Sequence, residues 1–162
     1  MMIHTYDTNN YENFWQCATI DVPLCALRKP DCIYVPMHWH DCCEIIMVTS
    51  GEIQVTIANQ PYTLCSGDLI IINSNELHSI QGISENTSIV FSIPDTFWEK
   101  HTAQNPLPKF PNLVTGAAKE KLSASLLRIG QAFEDMQKGN SLTYYRELFD
   151  FISLLLDRKS VV

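Results

Sequence analysis

Between Trp15 and Ile93 the chain is cut into short apolar runs by turn-forming residues, and this punctuation constrains its fold more than any other feature. The runs CIYVP, EIIMVTS, EIQVTIA, PYTLC, DLIII and TSIVFSI are rich in Ile, Val, Tyr and Thr. Branched and aromatic side chains of this kind suit a pleated surface. Breaks fall at Ser50-Gly51, Asn59-Gln60, Ser66-Gly67, Asn73-Ser74-Asn75 and Ser84 to Asn86. Short strands so spaced predict an antiparallel sandwich or barrel. EIQVTIA alternates, with Ile53, Val55 and Ile57 on one face and Glu52, Gln54 and Thr56 on the other. One side of that strand should meet the core and the other water.

From Pro94 the texture changes. PDTFWEKH reads as a short helix, with Pro94 and Asp95 suited to its first turn. A proline-rich connector, NPLPKFPN, follows. A helix is then expected from about Ala117 to Lys138, carrying Leu122, Leu126, Ile129, Phe133 and Met136 at helical spacing. Gly139-Asn140 would cap it. A second helix, from about Leu142 to Arg158, places Leu142, Tyr145, Phe149, Ile152, Leu155 and Leu156 on one side, and the short break between the two makes an antiparallel helical hairpin. These stripes would suit a hairpin that only covers the barrel. LFDFISLLLD, however, is apolar over more than half its circumference, so it calls for cover on two sides. A homodimer interface is therefore expected at Leu122, Leu126, Ile129, Phe149, Ile152, Leu155 and Leu156. The chain divides into a polar N-terminal arm (1–14), a barrel (15–93), a connector with a short helix (94–116) and the hairpin (117–162).

Charge narrows the class of partner. Eleven basic residues stand against eighteen acidic ones, a net charge of −7 at pH 7. Gripping DNA requires clustered Lys and Arg to neutralise phosphates, and this stretch has no such cluster. No apolar run approaches the roughly 18 residues of a membrane span, and the polar start MMIHTYDTNNYENF is unlike a signal peptide. A cytoplasmic location is expected. The six cysteines, Cys17, Cys25, Cys32, Cys42, Cys43 and Cys65, lack the paired spacing of a structural zinc site and read as small apolar fillers.

The chemistry concentrates in PMHWHDCCE, residues 36–44. On a strand, alternate residues point the same way, so His38 and His40 would lie about 6–7 Å apart on one face. Two such imidazoles can converge on one metal ion. Glu44 cannot join them along a straight strand, since four residues carry it about 13 Å away. For Glu44 to share the site the chain must turn near Asp41 and Cys42. His78, after the Asn73-Ser74-Asn75 turn, is the fourth candidate. Three imidazoles and a carboxylate suit Zn, Ni, Mn or Fe alike. Trp39, between the histidines, should face away from them.

These residues carry a resemblance. HWHDCCEIIMVTSG reads H-x-H-x3-E-x6-G, which resembles the first signature of cupins, small jelly-roll barrels built as a double-stranded β-helix. GDLIIINSNELH resembles the second, G-x5-P-x-G-x2-H, with Asn73 and Asn75 in place of its proline and glycine. By that resemblance His38, His40, Glu44 and His78 would hold one metal ion, or bind an effector directly, and Gly51 and Gly67 would sit at hairpin turns. A cupin barrel followed by a helical hairpin is similar to the N-terminal effector-binding and dimerisation domain of AraC-type transcription regulators, over about residues 20 to 160. The resemblance implies a small-molecule effector, often a sugar, in the barrel and two subunits paired through the helices. DNA would be bound only through a further C-terminal domain with a pair of helix-turn-helix motifs. The chain stops just past the second helix, as an excised sensing domain would. A sensor rather than an enzyme is expected, the other reading being a metal-dependent cupin enzyme such as a dioxygenase, decarboxylase or sugar isomerase; beyond the metal ligands no acid, base or nucleophile can be identified.

Overall fold

The computed structural model describes residues 23–31, 34–102, 106–136, 139 and 141–157, with backbone alone for 24–31. The expected arm at 1–14 lies outside the described residues. Eight strands and three helices follow in order: β1 Leu24–Asp31, β2 Tyr34–His38, β3 Cys42–Ser50, β4 Glu52–Ile57, β5 Gln60–Cys65, β6 Leu69–Ile72, β7 His78–Gly82, β8 Asn86–Pro94, α1 Asp95–Thr102, α2 Gly116–Met136 and α3 Ser141–Leu156.

The strands form two four-stranded sheets, β1-β8-β3-β6 and β2-β7-β4-β5, with every pairing antiparallel. This is the double-stranded β-helix that the cupin-like motifs imply. Alternation along the strands fills two cores. Ile46, Val48, Ile70, Ile72 and Val90 of the first sheet meet Ile53, Val55, Ile57, Leu64 and Ile80 of the second, and together they fill the barrel. The opposite face of the first sheet, with Ile45, Met47, Leu69, Ile71, Phe91 and Ile93, packs against the helices. A strand buried on both faces reads as an unbroken apolar run, and β3 and β6 are buried almost throughout.

The turns fall where expected, but those at Gly51 and Gly67 are corners that carry the chain from one sheet to the other, not the hairpins expected, because β3 and β4, like β5 and β6, belong to different sheets. Gly51 has φ +73°, and a Cβ there would meet the carbonyl oxygen of Glu85 at 2.1 Å. Only glycine fits that β3–β4 corner. The helix α2 ends at Met136, whose carbonyl accepts from the Gly139 N–H at 2.9 Å with Gly139 at φ +103°. Strand β1 was not among the expected runs. LCALRKPD lacks β-branched residues and contains a proline, yet it pairs with β8 from Leu24↔Ser92 onward.

Helix α2 buries the stripe its periodicity singled out, Leu122, Leu126 and Ile129 with Phe133 and Met136 beside them, whereas the face that α3 turns inward coincides with the expected one only at Ile152 and Leu155. Tyr144, Leu148, Phe151, Ile152 and Leu155 of α3 are buried, whereas Leu142, Tyr145 and Phe149 are exposed. Inward burial is centred on Phe151, which packs edge-on against Phe91 of β8 at 5.1 Å. The helix is apolar around most of its girth, so periodicity alone could not choose the buried side. Glu147 is the polar exception on that face, accepting from Arg128 Nε of α2 at 2.9 Å and from Arg146 at 2.8 Å. Leu122, Leu126, Ile129, Ile152 and Leu155 are all consumed in the chain's own core, and Leu156 is partly buried against it. Of the described cysteine side chains, Cys43 is a buried filler, Cys42 is buried with its Sγ 3.1 Å from His40 Nδ1, and Cys65 is exposed on β5.

Candidate functional site

Three elements bring the histidines together at one end of the barrel. His38 is the last residue of β2 and His78 the first of β7, directly opposite each other in the register. His40 lies just past β2, where the chain bends at Asp41 before entering β3. That bend returns Glu44, on the inward face of β3, to His40: His40 Nε2 and Glu44 Oε2 are 2.9 Å apart, both buried. The ring centroids lie 4.1 Å apart for His38–His78, 4.9 Å for His40–His78 and 5.6 Å for His38–His40. One nitrogen from each ring falls within 4.8 Å of the others, a spacing that could hold a metal ion. Trp39 is half exposed and turned away from the cluster.

The three rings are oriented by one device. Each turns Nδ1 toward a main-chain carbonyl two residues away: His38 to Pro36 at 2.8 Å, His40 to Cys42 at 3.1 Å and His78 to Glu76 at 2.8 Å. An Nδ1–H donated there leaves Nε2 with a free lone pair, the tautomer that ligation through Nε2 needs. His78 shows the consequence most clearly. It is fully buried, and its Nε2 has no hydrogen-bond partner. A buried acceptor left unpaired costs about 1–3 kcal/mol. At His40 the Nε2 faces a carboxylate oxygen, and only a proton or a cation makes that contact favourable.

The electrostatics follow from burial and from the one carboxylate. Burial pushes the His78 pKa down to about 4, only partly opposed by the Glu44 charge. His38 is lowered for the same reason. Burial also works against a charged His40, but the hydrogen bond to Glu44 and its negative charge outweigh it and raise the imidazole. Glu44 is the mirror image: burial would raise its carboxyl, and the bond to His40 with the surrounding imidazoles holds it below the ordinary value. Burial thus favours the neutral form of His38 and His78, while Glu44 favours the charged form of His40. The three imidazole nitrogens lie close enough together to share one ion, and nitrogen donors of this kind suit borderline divalent metals.

Asn73 and Asn75, the departures from the cupin motif, have visible work. Asn75 takes φ +64°, tolerable for asparagine in place of glycine, and its N–H donates to the His40 carbonyl at 2.8 Å. Asn73 pairs with the Phe110 backbone through both of its amide atoms, at 2.8 and 2.9 Å. Neither contact was signalled in the sequence.

Residues 24–142 match the family described as AraC-like ligand binding domain. The HTH-type transcriptional activator RhaS of Pectobacterium carotovorum is 34% identical over 56 residues, which cover 35% of this chain and 20% of that protein. RhaS of Pectobacterium atrosepticum matches to the same extent, so the matched stretch spans about a fifth of the length of these curated relatives. Among solved structures, a cupin superfamily protein from Desulfitobacterium hafniense is 18% identical, with a TM-score of 0.44 over 47% of this chain and 71% of that one. An RmlC-like cupin with a double-stranded β-helix fold from Methanocaldococcus jannaschii is also 18% identical, with a TM-score of 0.42 over 48% and 74%.

Proposed function

The chain belongs to the family of AraC-like ligand-binding domains, and we propose that it is the effector-sensing and dimerising part of an AraC-type transcription regulator, with His38, His40, Glu44 and His78 as its sensing site. The observation that carries this reading is the buried, unpartnered Nε2 of His78, set among two further imidazoles whose Nδ1 atoms are already committed. The fold itself supplies no return for that arrangement. A bound species would.

The four side chains would hold one divalent transition ion, Zn, Ni, Mn or Fe, leaving positions for oxygen ligands from a small effector. When bound, such an ion supplies Lewis acidity toward hydroxyl or carboxylate oxygens. The chain's own part is to present neutral nitrogens, keep Glu44 ionised and exclude water with the aliphatic barrel beneath. A sugar or small hydroxy acid offers matching oxygens. The signal must come from unequal affinity for two states of the domain, since a ligand that binds both equally shifts neither.

A second subunit would sit on the outer face of α3, where Leu142, Tyr145 and Phe149 remain exposed in line with Ile152 and Leu156. DNA would be engaged by a separate domain, since the sequence holds no run of clustered Lys and Arg. No helix among the described residues is long and apolar enough to cross a membrane.

Elemental analysis of protein purified without chelator or nickel resin tests the site. About one transition ion per chain, lost in His38→Ala/His40→Ala, is expected. If both proteins lack metal, a calorimetric screen of sugars and small acids decides whether the same residues bind an effector directly. Failure of both screens would overturn the assignment.

A further inference from the structure

The turn between β6 and β7, residues 73–78, touches the histidine cluster and the road to the hairpin at once. On the site side, the Asn75 N–H donates to the His40 carbonyl, and the Glu76 carbonyl accepts from His78 Nδ1. On the other side, Asn73 holds the Phe110 N–H and carbonyl. The Glu76 carboxylate accepts from the Asn73 N–H at 2.8 Å and from Asn112 Nδ2 at 2.7 Å. Asn112 closes the circuit: its carbonyl accepts from the Ile71 N–H, and its side chain donates to the Ile71 carbonyl. The connector is thereby laid along β6 like a further strand, with a bridge at Ile70↔Leu113, and three residues later α2 begins. Ser74 also bonds Asp95 at the start of α1, at 2.5 Å.

We propose that this turn couples the sensing site to the helical hairpin, with Asn73, Glu76 and Asn112 as positioning residues that transmit the state of His78 to the connector. The proposal rests on the reading of the histidine cluster as the sensing site. The geometry allows little slack. His78 cannot rotate or shift along its Nδ1 bond without moving the Glu76 main chain, and the side chain of that same residue anchors both Asn73 and Asn112. Neither asparagine is hydrogen-bonded to a ring of the cluster, so their polar contribution to it is indirect.

Two amides report directly on connector docking, the Phe110 N–H bonded to Asn73 Oδ1 and the Ile71 N–H bonded to the Asn112 carbonyl. Their hydrogen exchange should be followed in the wild type, His78→Ala, Asn112→Ala and the double variant, with and without Zn²⁺, alongside calorimetric Zn²⁺ titration. Loss of the two Asn112 side-chain bonds should speed exchange roughly tenfold. His78→Ala should speed it in the wild-type background and add less than about twofold in Asn112→Ala, the margin within which independent sites are additive. Zn²⁺ should slow both amides in the wild type. By reciprocity, Asn112→Ala should weaken Zn²⁺ binding by the factor it removes from that slowing, a change that a purely structural asparagine would not cause. Full additivity of the two substitutions overturns the link. A wild type that binds no Zn²⁺ refutes the metal reading alone, because the metal-free cycle still decides the coupling. If Asn112→Ala does not fold, Asn73→Ala takes its place in the same cycle.

Discussion

The interior of the barrel contains two regions built on the same strands. Along β3 the inward positions are Glu44, Ile46 and Val48: the first joins the imidazoles, and the next two join the aliphatic plug. Only a few ångströms of strand separate a region where every side chain is apolar and fully packed from one where an imidazole nitrogen is buried unpaired. Backbone pattern and burial are the same in both. The difference lies in what each region contributes to folding. Each fully buried Ile or Val stabilises the fold by about 1.5–3 kcal/mol, whereas the polar end lowers stability by burying charge and an unpaired acceptor. A chain retains such an end for what it binds.

Substitutions at the two ends should therefore act oppositely. The largest effect is expected from the plug. Ile70→Ala removes a fully buried side chain and should lower stability by about 2–5 kcal/mol, read as a shift of the urea midpoint at constant slope. A loss under 1 kcal/mol would mean that the plug is loosely packed and that the contrast is false.

Next comes the polar end, through pH. The folded-state pKa of His78 is about 4, against about 6.5 when unfolded. The unfolded chain therefore binds more protons between these values, and stability falls as pH falls from 6.5 to 4. The window spans two and a half units at about 1.4 kcal/mol each, so metal-free protein should lose about 3 kcal/mol across it on account of His78. His38 acts in the same direction. His40, raised by its carboxylate partner, has the opposite sign: its contribution is complete below its unfolded pKa and is lost as pH rises through the folded one. Replacing His78 with Gln should flatten the dependence between pH 4 and 6.5. If urea titrations of the two proteins run parallel through that window, His78 is not buried neutral.

A smaller effect sharpens the boundary between the regions. Asn75 sits at φ +64° beside the cluster, so Asn75→Ala should cost about 1–2 kcal/mol of left-handed strain while keeping the N–H bond to His40. Asn75→Gly should recover it. Thermal melts of the pair check this, and equal stability would deny the strain.

How much of this could be read in the residues depends on the range of the interaction concerned. Strands β3, β4 and β6 follow from alternation and apolar runs, which are local. The turn that brings Glu44 to His40 follows from strand geometry once a shared ion is assumed. β1 escaped because its pairing with β8, more than fifty residues on, compensates for poor strand propensity. Asn73, Glu76 and Asn112 escaped for the same reason: their roles exist only when the connector returns to β6. The inward face of α3 was misplaced because an apolar surface wider than one side of the helix does not say which part of it a sheet will cover.

That helix repeats the contrast between filled and unfilled apolar surface and yields the smallest expected change in stability. Leu155 is 1% exposed, within the chain's own core, whereas Phe149 is 51% exposed on the other side of the helix. Leu155→Asp would bury an unpaired charge and should cost over about 4 kcal/mol, so its failure to associate would say nothing about an interface. Phe149→Asp spares the fully buried residues but gives up a ring contact with buried Phe97 at 6.3 Å, and should lower the stability of the monomer by about 1 kcal/mol. If two subunits meet across α3, it places one charge from each in an apolar contact and should give a monomer by sedimentation at concentrations where the wild type is a dimer. Its urea midpoint, compared under conditions where both proteins are monomeric, should fall only slightly below that of the wild type, by the loss of the Phe97 contact. A Phe149→Asp protein that still sediments as a dimer would move the interface off this face of α3, and exposed Leu127 on α2 would be the next residue to test.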